Sequence, residues 1–274
     1  MSPGPKSSAS ETVRRHRGED ASKAETPPGG RLSRILVTRP EPGATRTAAR
    51  LFAAGWRPLV IPLSEIVPLP AELPPGDFEA VAASSANALR HAPAALLGPL
   101  LGLPLFAVGD ETAAAARGAG FRDVRSSGAA ATALAGDVAA ATQAGARIAY
   151  LCGRVRMPAL EGLLAAAHIA LVAIETYDTP ARLPSPADLV RLDAEPVAAA
   201  LVYSARAAEG LATLARRRGL SDTVFISISA RVADRLAAIA PGKVLIAATP
   251  DEGAMFDVLA GIGHEPAPIA GKFG

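Results

Sequence analysis

From Arg34 onward the chain repeats one scheme: a short apolar run, a polar turn, an alanine-rich segment, then another apolar run. The apolar runs in RILVT, RPLVIPL, FEAVAASS, LPLFAVG, ARIAYLC, VAAALVYS, TVFISI and KVLIAA predict strands. The alanine-rich segments between them predict helices, with Gly55 placed to end GATRTAARLFAAG and Gly118 or Gly120 to end a helix running from Glu111. Strands alternating with helices predict parallel sheets with helices on their faces. Residues 1–33 break the scheme: they are rich in Ser, Gly, Pro and charge and poor in large apolar residues, so a disordered tail is expected there. A second short tail is expected at 263–274.

The scheme also repeats at a longer distance. ILVTRP with its helix is similar to AYLCGRVR with its helix, AVAASSANAL to ALVYSARAAEGL, FAVGDETAAAARGAG to ISISARVADRLAAIA, and VRSSGAAATALAGDVAA to LIAATPDEGAMFDVLAG. The offset stays at about 115–120 residues, longer than a solenoid period. Two similar α/β domains are expected.

Composition narrows the classes of function. Half of the 274 residues are hydrophobic, but only 4% are aromatic, which speaks against base stacking on single-stranded nucleic acid. The net charge of +2 resides in residues 1–33, so the body is neutral, without the basic excess that phosphate neutralisation needs. The single cysteine, Cys152, cannot form an intrachain disulfide and is expected to be a small buried residue. Four scattered histidines lack metal-ligand spacing. Residues 92–109 form an uncharged apolar run, but Pro93, Pro99 and Pro104 interrupt it, so a buried strand is expected there and no membrane span. The N-terminus lacks the apolar stretch of a signal peptide, and a cytoplasmic location is expected.

Candidate chemistry gathers where strands end. Thr38-Arg39, Ser84-Ser85, Gly109, Cys152-Gly153-Arg154, Ser204 and Ser229 each follow an apolar run, and helices begin just after most of them. In open parallel sheets that edge is where ligands bind. Helix N-termini there offer free N–H groups and partial positive charge, suited to carboxylates or phosphates. Taken singly, a serine at such a place caps its helix and an arginine is a solvated cation. Their recurrence at six strand ends makes the set a candidate anion-binding site. No dinucleotide or Walker fingerprint is present.

ILVTRP, AASSANAL, AVGDETAAAARGAGF, LCGR, ETYDT and LVYSARAAEGL, in this order, make the chain similar to the uroporphyrinogen-III synthase family over about residues 34–261. The resemblance implies two flavodoxin-like, duplicated parallel-sheet α/β domains joined by a two-stranded linker around an interdomain cleft. Residues 34–63 plus 182–262 would form the first, and residues 66–177 the second. LVIPLSEIVPL and AIETYDT would be the crossing strands. It implies substrate contacts at Thr38, Arg39, Ser84, Ser85, Asn87, Gly109, Thr112, Gly153, Arg154, Ser204 and Ser229, and a proton donor at Tyr177. One departure stands out: in ISISARVA, Ser229 occupies the place of a family glycine, and Arg231-Val232 replace a threonine-containing pair.

The implied reaction is closure of the linear tetrapyrrole hydroxymethylbilane with loss of water and inversion of its last ring, needing no metal or redox cofactor. The resemblance further implies a monomer, in transient contact with the preceding enzyme of the pathway and with neither nucleic acid nor membrane as partner. The altered turn keeps one alternative open, a non-catalytic tetrapyrrole- or anion-binding sensor of the same fold.

Overall fold

In this computed structural model, the residues described are 33–262, apart from 129, 157, 215–216, 218–219, 238 and 240–242. The tails expected at 1–33 and 263–274 lie outside them, Ser33 excepted. The chain opens with β1 (Arg34–Val37), α1 (Gly43–Ala53) and β2 (Arg57–Val60). It continues through β3 (Val67–Pro68), β4 (Ala80–Ala83), α2 (Ala86–Arg90), α3 (Ala94–Leu97), a 3₁₀ turn, β5 (Leu105–Ala107), α4 (Gly109–Gly118), β6 (Val124–Ser126) and α5 (Ala131–Ala141). Then come β7 (Arg147–Gly153), α6 (Pro158–Ala166) and β8 (Ala170–Asp178). The last part holds α7 (Pro186–Asp193), β9 (Ala199–Val202), α8 (Ala205–Leu214), β10 (Val224–Ser227), α9 (Ala230–Ala237), β11 (Val244–Ile246) and α10 (Glu252–Ile262).

The strands form two sheets. One has the order β11-β10-β9-β1-β2, parallel throughout. The other has the order β3-β8-β7-β4-β5-β6, parallel except where β3 pairs antiparallel with β8. The fold is thus mixed α/β with parallel sheets. β1, β4 and β9 are buried along their whole length, because helices cover both faces of each sheet. Along β1 the side chains alternate: Ile35 and Val37 pack with Leu51, Met255 and Leu259, while Leu36 packs with Leu192, Leu211 and Leu236 on the other face. In the second sheet, Val81 and Leu105 face Leu89 and Ala113, whereas Phe106, Ile148 and Tyr150 face Leu134, Val138 and Leu160. Each fully buried leucine-sized side chain contributes about 1.5–3 kcal/mol. Alanines such as Ala80, Ala82, Ala199 and Ala200 let helices sit close to the sheets.

Two elements differ from the expectation. Helix α4 starts at Gly109, two residues earlier than predicted. Gly109 has φ +75°, so the chain turns from strand into helix with no intervening loop. The run LVIPLSEIVPL is not one strand. β2 stops at Val60, although the Ile61 and Leu63 amides still donate to the Val37 and Thr38 carbonyls at 3.1 and 3.0 Å. The chain then makes a single antiparallel bridge, Ser64 to Ala181, before β3 pairs Val67 with Asp178 and Pro68 with Tyr177. The apolar run at 92–109 forms α3, a 3₁₀ turn and the buried strand β5. Among the described residues no helix is long and apolar enough to cross a membrane.

Candidate functional site

The carboxyl ends of both sheets face a common crevice of about 560 Å³. Its wall on one side is the loop from β1 into α1, with Arg39, Gly43 and Arg46, together with Tyr203 and Ser204 at the end of β9. On the other side are Ser84, Ser85 and Asn87 after β4, and Gly109 to Thr112 at the start of α4. Tyr177 of β8, with Ser64, Ile66 and Thr179 of the adjoining segments, lines it as well. In each sheet the strand order reverses at a point beside the crevice, between β1 and β9 and between β7 and β4. Reversal points leave a gap between helices that diverge to opposite faces, and ligands of open α/β sheets enter there.

Tyr177 sits where β8 is irregular: the register against β7 shifts between Cys152 and Gly153, so that Gly153 faces Tyr177. The backbone N–H of Arg154 donates to the Tyr177 carbonyl at 2.9 Å and fixes the strand there. The His91 ring lies 6.3 Å from the Tyr177 ring, centroid to centroid. Burial pushes the Tyr177 phenol above its ordinary value, against the opposing pull of a hydrogen bond with Ser85. Tyr177 is therefore a protonated donor at neutral pH.

The hydroxyls around it are held in different ways. Tyr150, fully buried, donates to Ser84 Oγ at 2.9 Å, which leaves the Ser84 proton free to point elsewhere. Ser85 Oγ accepts from the Asn87 amide at 3.2 Å and caps α2, while Ser204 Oγ accepts from the Ala207 amide at 3.1 Å and caps α8. Asn87 Oδ1 accepts from Arg90 at 3.2 Å. Thr112 lines the crevice from the first turn of α4, though little of it is exposed.

Of the twelve residues singled out in the sequence, the crevice gathers Arg39, Ser84, Ser85, Asn87, Gly109, Thr112, Tyr177 and Ser204. The other four lie outside its lining. Thr38 is fully buried and its hydroxyl donates to the Leu201 carbonyl at 2.9 Å, tying β1 to β9. Gly153 lies behind the Tyr177 ring. Arg154 turns away to pair with Asp178 at 2.9 Å and Glu175 at 3.4 Å. At Ser229, the departure from the family pattern, the amide donates to the Ser227 hydroxyl and the carbonyl accepts from it. Arg39 and Arg154, at matching places in the sequence repeat, thus differ in surroundings.

Several lining residues had no signal in the sequence. Arg39 does not stand alone: its guanidinium lies 4.5 Å over the Tyr203 ring and 3.2 Å from Glu252. Glu252 also accepts from the Thr47 hydroxyl, from Arg50 and, at 2.7 Å, from the Tyr203 phenol. Burial would raise the Glu252 carboxyl, but the hydroxyls of Thr47 and Tyr203 and the charges of Arg39 and Arg50 outweigh it and hold it below the usual carboxylate range. Burial drives the Tyr203 phenol strongly upward. Across the crevice mouth, Glu111 Oε1 accepts from Arg46 at 2.8 Å and from Arg90 at 3.0 Å. Among the described residues no group of three His, Cys, Asp or Glu side chains could hold a metal ion. The arrangement can bind carboxylates through hydroxyls, helix N-termini and arginines, and can deliver one proton from a phenol.

Residues 45–257 match the family model described as uroporphyrinogen-III synthase HemD. No curated protein sequence matches the chain. A solved structure of uroporphyrinogen-III synthetase from Helicobacter pylori is similar, with 18% identity, a TM-score of 0.60, and coverage of 84% of this chain and 100% of that one. A mutant uroporphyrinogen III synthase from Thermus thermophilus aligns at 19% identity over 84% of this chain and 98% of its own, with a TM-score of 0.48. The Helicobacter pylori structure has the same fold.

Proposed function

The chain belongs to the uroporphyrinogen-III synthase family, and we propose that the crevice around Tyr177 is where it closes its linear tetrapyrrole. Its reaction converts hydroxymethylbilane into uroporphyrinogen III, in tetrapyrrole biosynthesis. The observation that carries the assignment of the site is the meeting of Tyr177, Ser84, Ser85 and Ser204 in one crevice at the strand reversals of both sheets.

Water must leave the hydroxymethyl carbon. Tyr177 gives its proton to the departing hydroxyl while the pyrrole nitrogen supplies the electrons that break the C–O bond. The far ring then attacks the resulting cation at its substituted carbon, giving a spiro intermediate. That intermediate opens at the neighbouring methylene and recloses with the ring turned over, and a proton lost on rearomatisation restores the balance. The substrate closes without inversion when left to itself, so the protein's task is to hold one folded geometry. Ser84, Ser85, Ser204 and the N–H groups at the starts of α4 and α8 bind the side-chain carboxylates in this reading. Thr38 and Arg154 are left with structural roles.

The matching strand orders support a duplicated architecture. The first sheet reads 2-1-3-4-5 from β1; the second, its edge strand β3 aside, reads the same when the count starts at β7 and returns from β8 to β4. We read residues 34–63 plus 182–262 and residues 66–177 as two domains, with the segments around Ser64 and Ala181 as the linker. A cytoplasmic monomer completes the reading. The test is to incubate the full chain with freshly generated hydroxymethylbilane and resolve the isomers: isomer III in excess is expected. Isomer I alone, at the uncatalysed rate, would sink the proposal.

A further inference from the structure

The crevice that is to receive a polyanion is neutral. Arg39, Arg46 and Arg90 line it, and so do Glu41, Asp110 and Glu111. Two of the three carboxylates have local work. Glu41 accepts from the Thr45 amide at 3.0 Å in the first turn of α1, and Asp110 accepts from the Ser126 hydroxyl at 2.8 Å. Glu111 differs: the same oxygen accepts from both Arg46 and Arg90. Arg46 stands on α1, beside the first sheet, and Arg90 and Glu111 stand on α2 and α4, beside the second, so the cluster spans the mouth.

Resting on the reading that a tetrapyrrole carboxylate enters this crevice, we propose that Glu111 is a built-in stand-in for a substrate carboxylate. It holds Arg46 and Arg90 in place until the substrate exchanges with it, which makes those two arginines specificity-determining. Guanidinium forks match carboxylates in shape and charge. The side chains of Arg46, Arg90 and Glu111 are 47%, 37% and 56% exposed, so their pairing is screened by water and gives way readily. The displaced Glu111 has somewhere to rest, because an acidic side chain in the first turn of α4 is favoured by the partial positive charge of the helix start. Exchange frees the two arginines for pairing only when a carboxylate arrives.

The experiment titrates the full chain with uroporphyrin III, a fluorescent octacarboxylate, and measures the same variants with hydroxymethylbilane. Glu111→Gln should bind the porphyrin about two- to fivefold more tightly and lower KM, the size expected for removing one exposed competing ion pair. Asp110→Asn removes the same charge from the same crevice but frees no arginine, and should tighten binding less. Arg46→Gln with Arg90→Gln should weaken binding, and adding Glu111→Gln to that pair should give no gain. Weaker binding by Glu111→Gln, an equal gain from Asp110→Asn, or a gain that persists without the arginines would each overturn the proposal. Wild-type protein that binds the porphyrin and makes isomer III, beside a Glu111→Gln variant that gains nothing, would fail this inference alone. Wild-type protein that makes no isomer III would fail the assignment of the site, and this inference with it.

Discussion

A Cβ atom on Gly153 would lie 2.6 Å from Cζ of Tyr177, closer than carbon atoms approach without a shift. The glycine at the end of β7 is therefore what lets the phenol ring lie flat against the strand. Gly153→Ala should push the ring off its position while the sheet keeps its strands. A displacement of about 1 Å can cost on the order of 100-fold in rate, so kcat should fall about 10- to 100-fold with the circular dichroism spectrum retained. A fully active Gly153→Ala variant would show that the ring's position does not matter.

Tyr177→Phe keeps the ring and removes the proton. General acid assistance is worth about 10²–10⁴-fold, and a readily departing hydroxyl places this case near the low end. Porphyrin binding should survive while kcat drops. Because burial raises the phenol above its ordinary value of about 10, the wild-type rate should hold through that pH and decline only beyond it. The Phe variant should lack that alkaline decline, and a shared decline would assign it to another group.

Glu252 ties Arg39, Arg50, Thr47 and Tyr203 together at one wall of the crevice. Glu252→Gln should lose about 1–3 kcal/mol of stability in urea titrations at neutral pH. Its folded carboxyl is held low, so its contribution is present above the unfolded value of about 4.3 and is lost as pH falls through the lower folded value. The gap between wild type and variant should accordingly close in acid. A gap that is constant from pH 7 to pH 3 would contradict this account.

Cys152 is fully buried in β7, and burial pushes its thiol up to about 12. Native protein should resist thiol reagents at neutral pH and yield one reactive thiol when unfolded. Rapid labelling of native protein would show that β7 opens easily.

The strand-helix scheme was legible because small and branched apolar residues recur in runs that only covered strands tolerate, as in RILV and AVAA. The strand-end rule reached Ser85 and Ser204 because a hydroxyl at that place caps a helix whatever else it does, and Ser84 because it adjoins Ser85. Thr38 obeys the same rule by position, but its side chain points into the sheet toward Leu201, and one residue's pleat decides that. Arg46, Arg90 and Glu111 read in sequence as ordinary charges on helix surfaces. Their meeting joins residues 65 and 21 positions apart, which no local pattern encodes. Glu252 was hidden likewise, since Arg39, Thr47 and Arg50 come from the opposite end of the chain and Tyr203 stands 49 positions away. The proline-flanked run after β2 looked like one strand because its apolar content is right, but beyond Leu63 the chain leaves β1 and makes only the Ser64–Ala181 bridge before β3 joins β8.

The interleaving of the chain has a consequence for its synthesis. Every strand of the second sheet lies between Val67 and Asp178, so that sheet has all its partners as soon as this stretch has left the ribosome. β1 is made first yet must wait for β9, whose Leu201 stands 163 positions beyond Thr38. The earliest apolar strand therefore has only β2 beside it and one edge open for most of synthesis, and the nascent chain carries it as a sticky leader, open to chaperones. Chains halted near residue 180 should protect the amides of β4 and β7 from exchange and leave those of β1 open; early protection of β1 would refute that order.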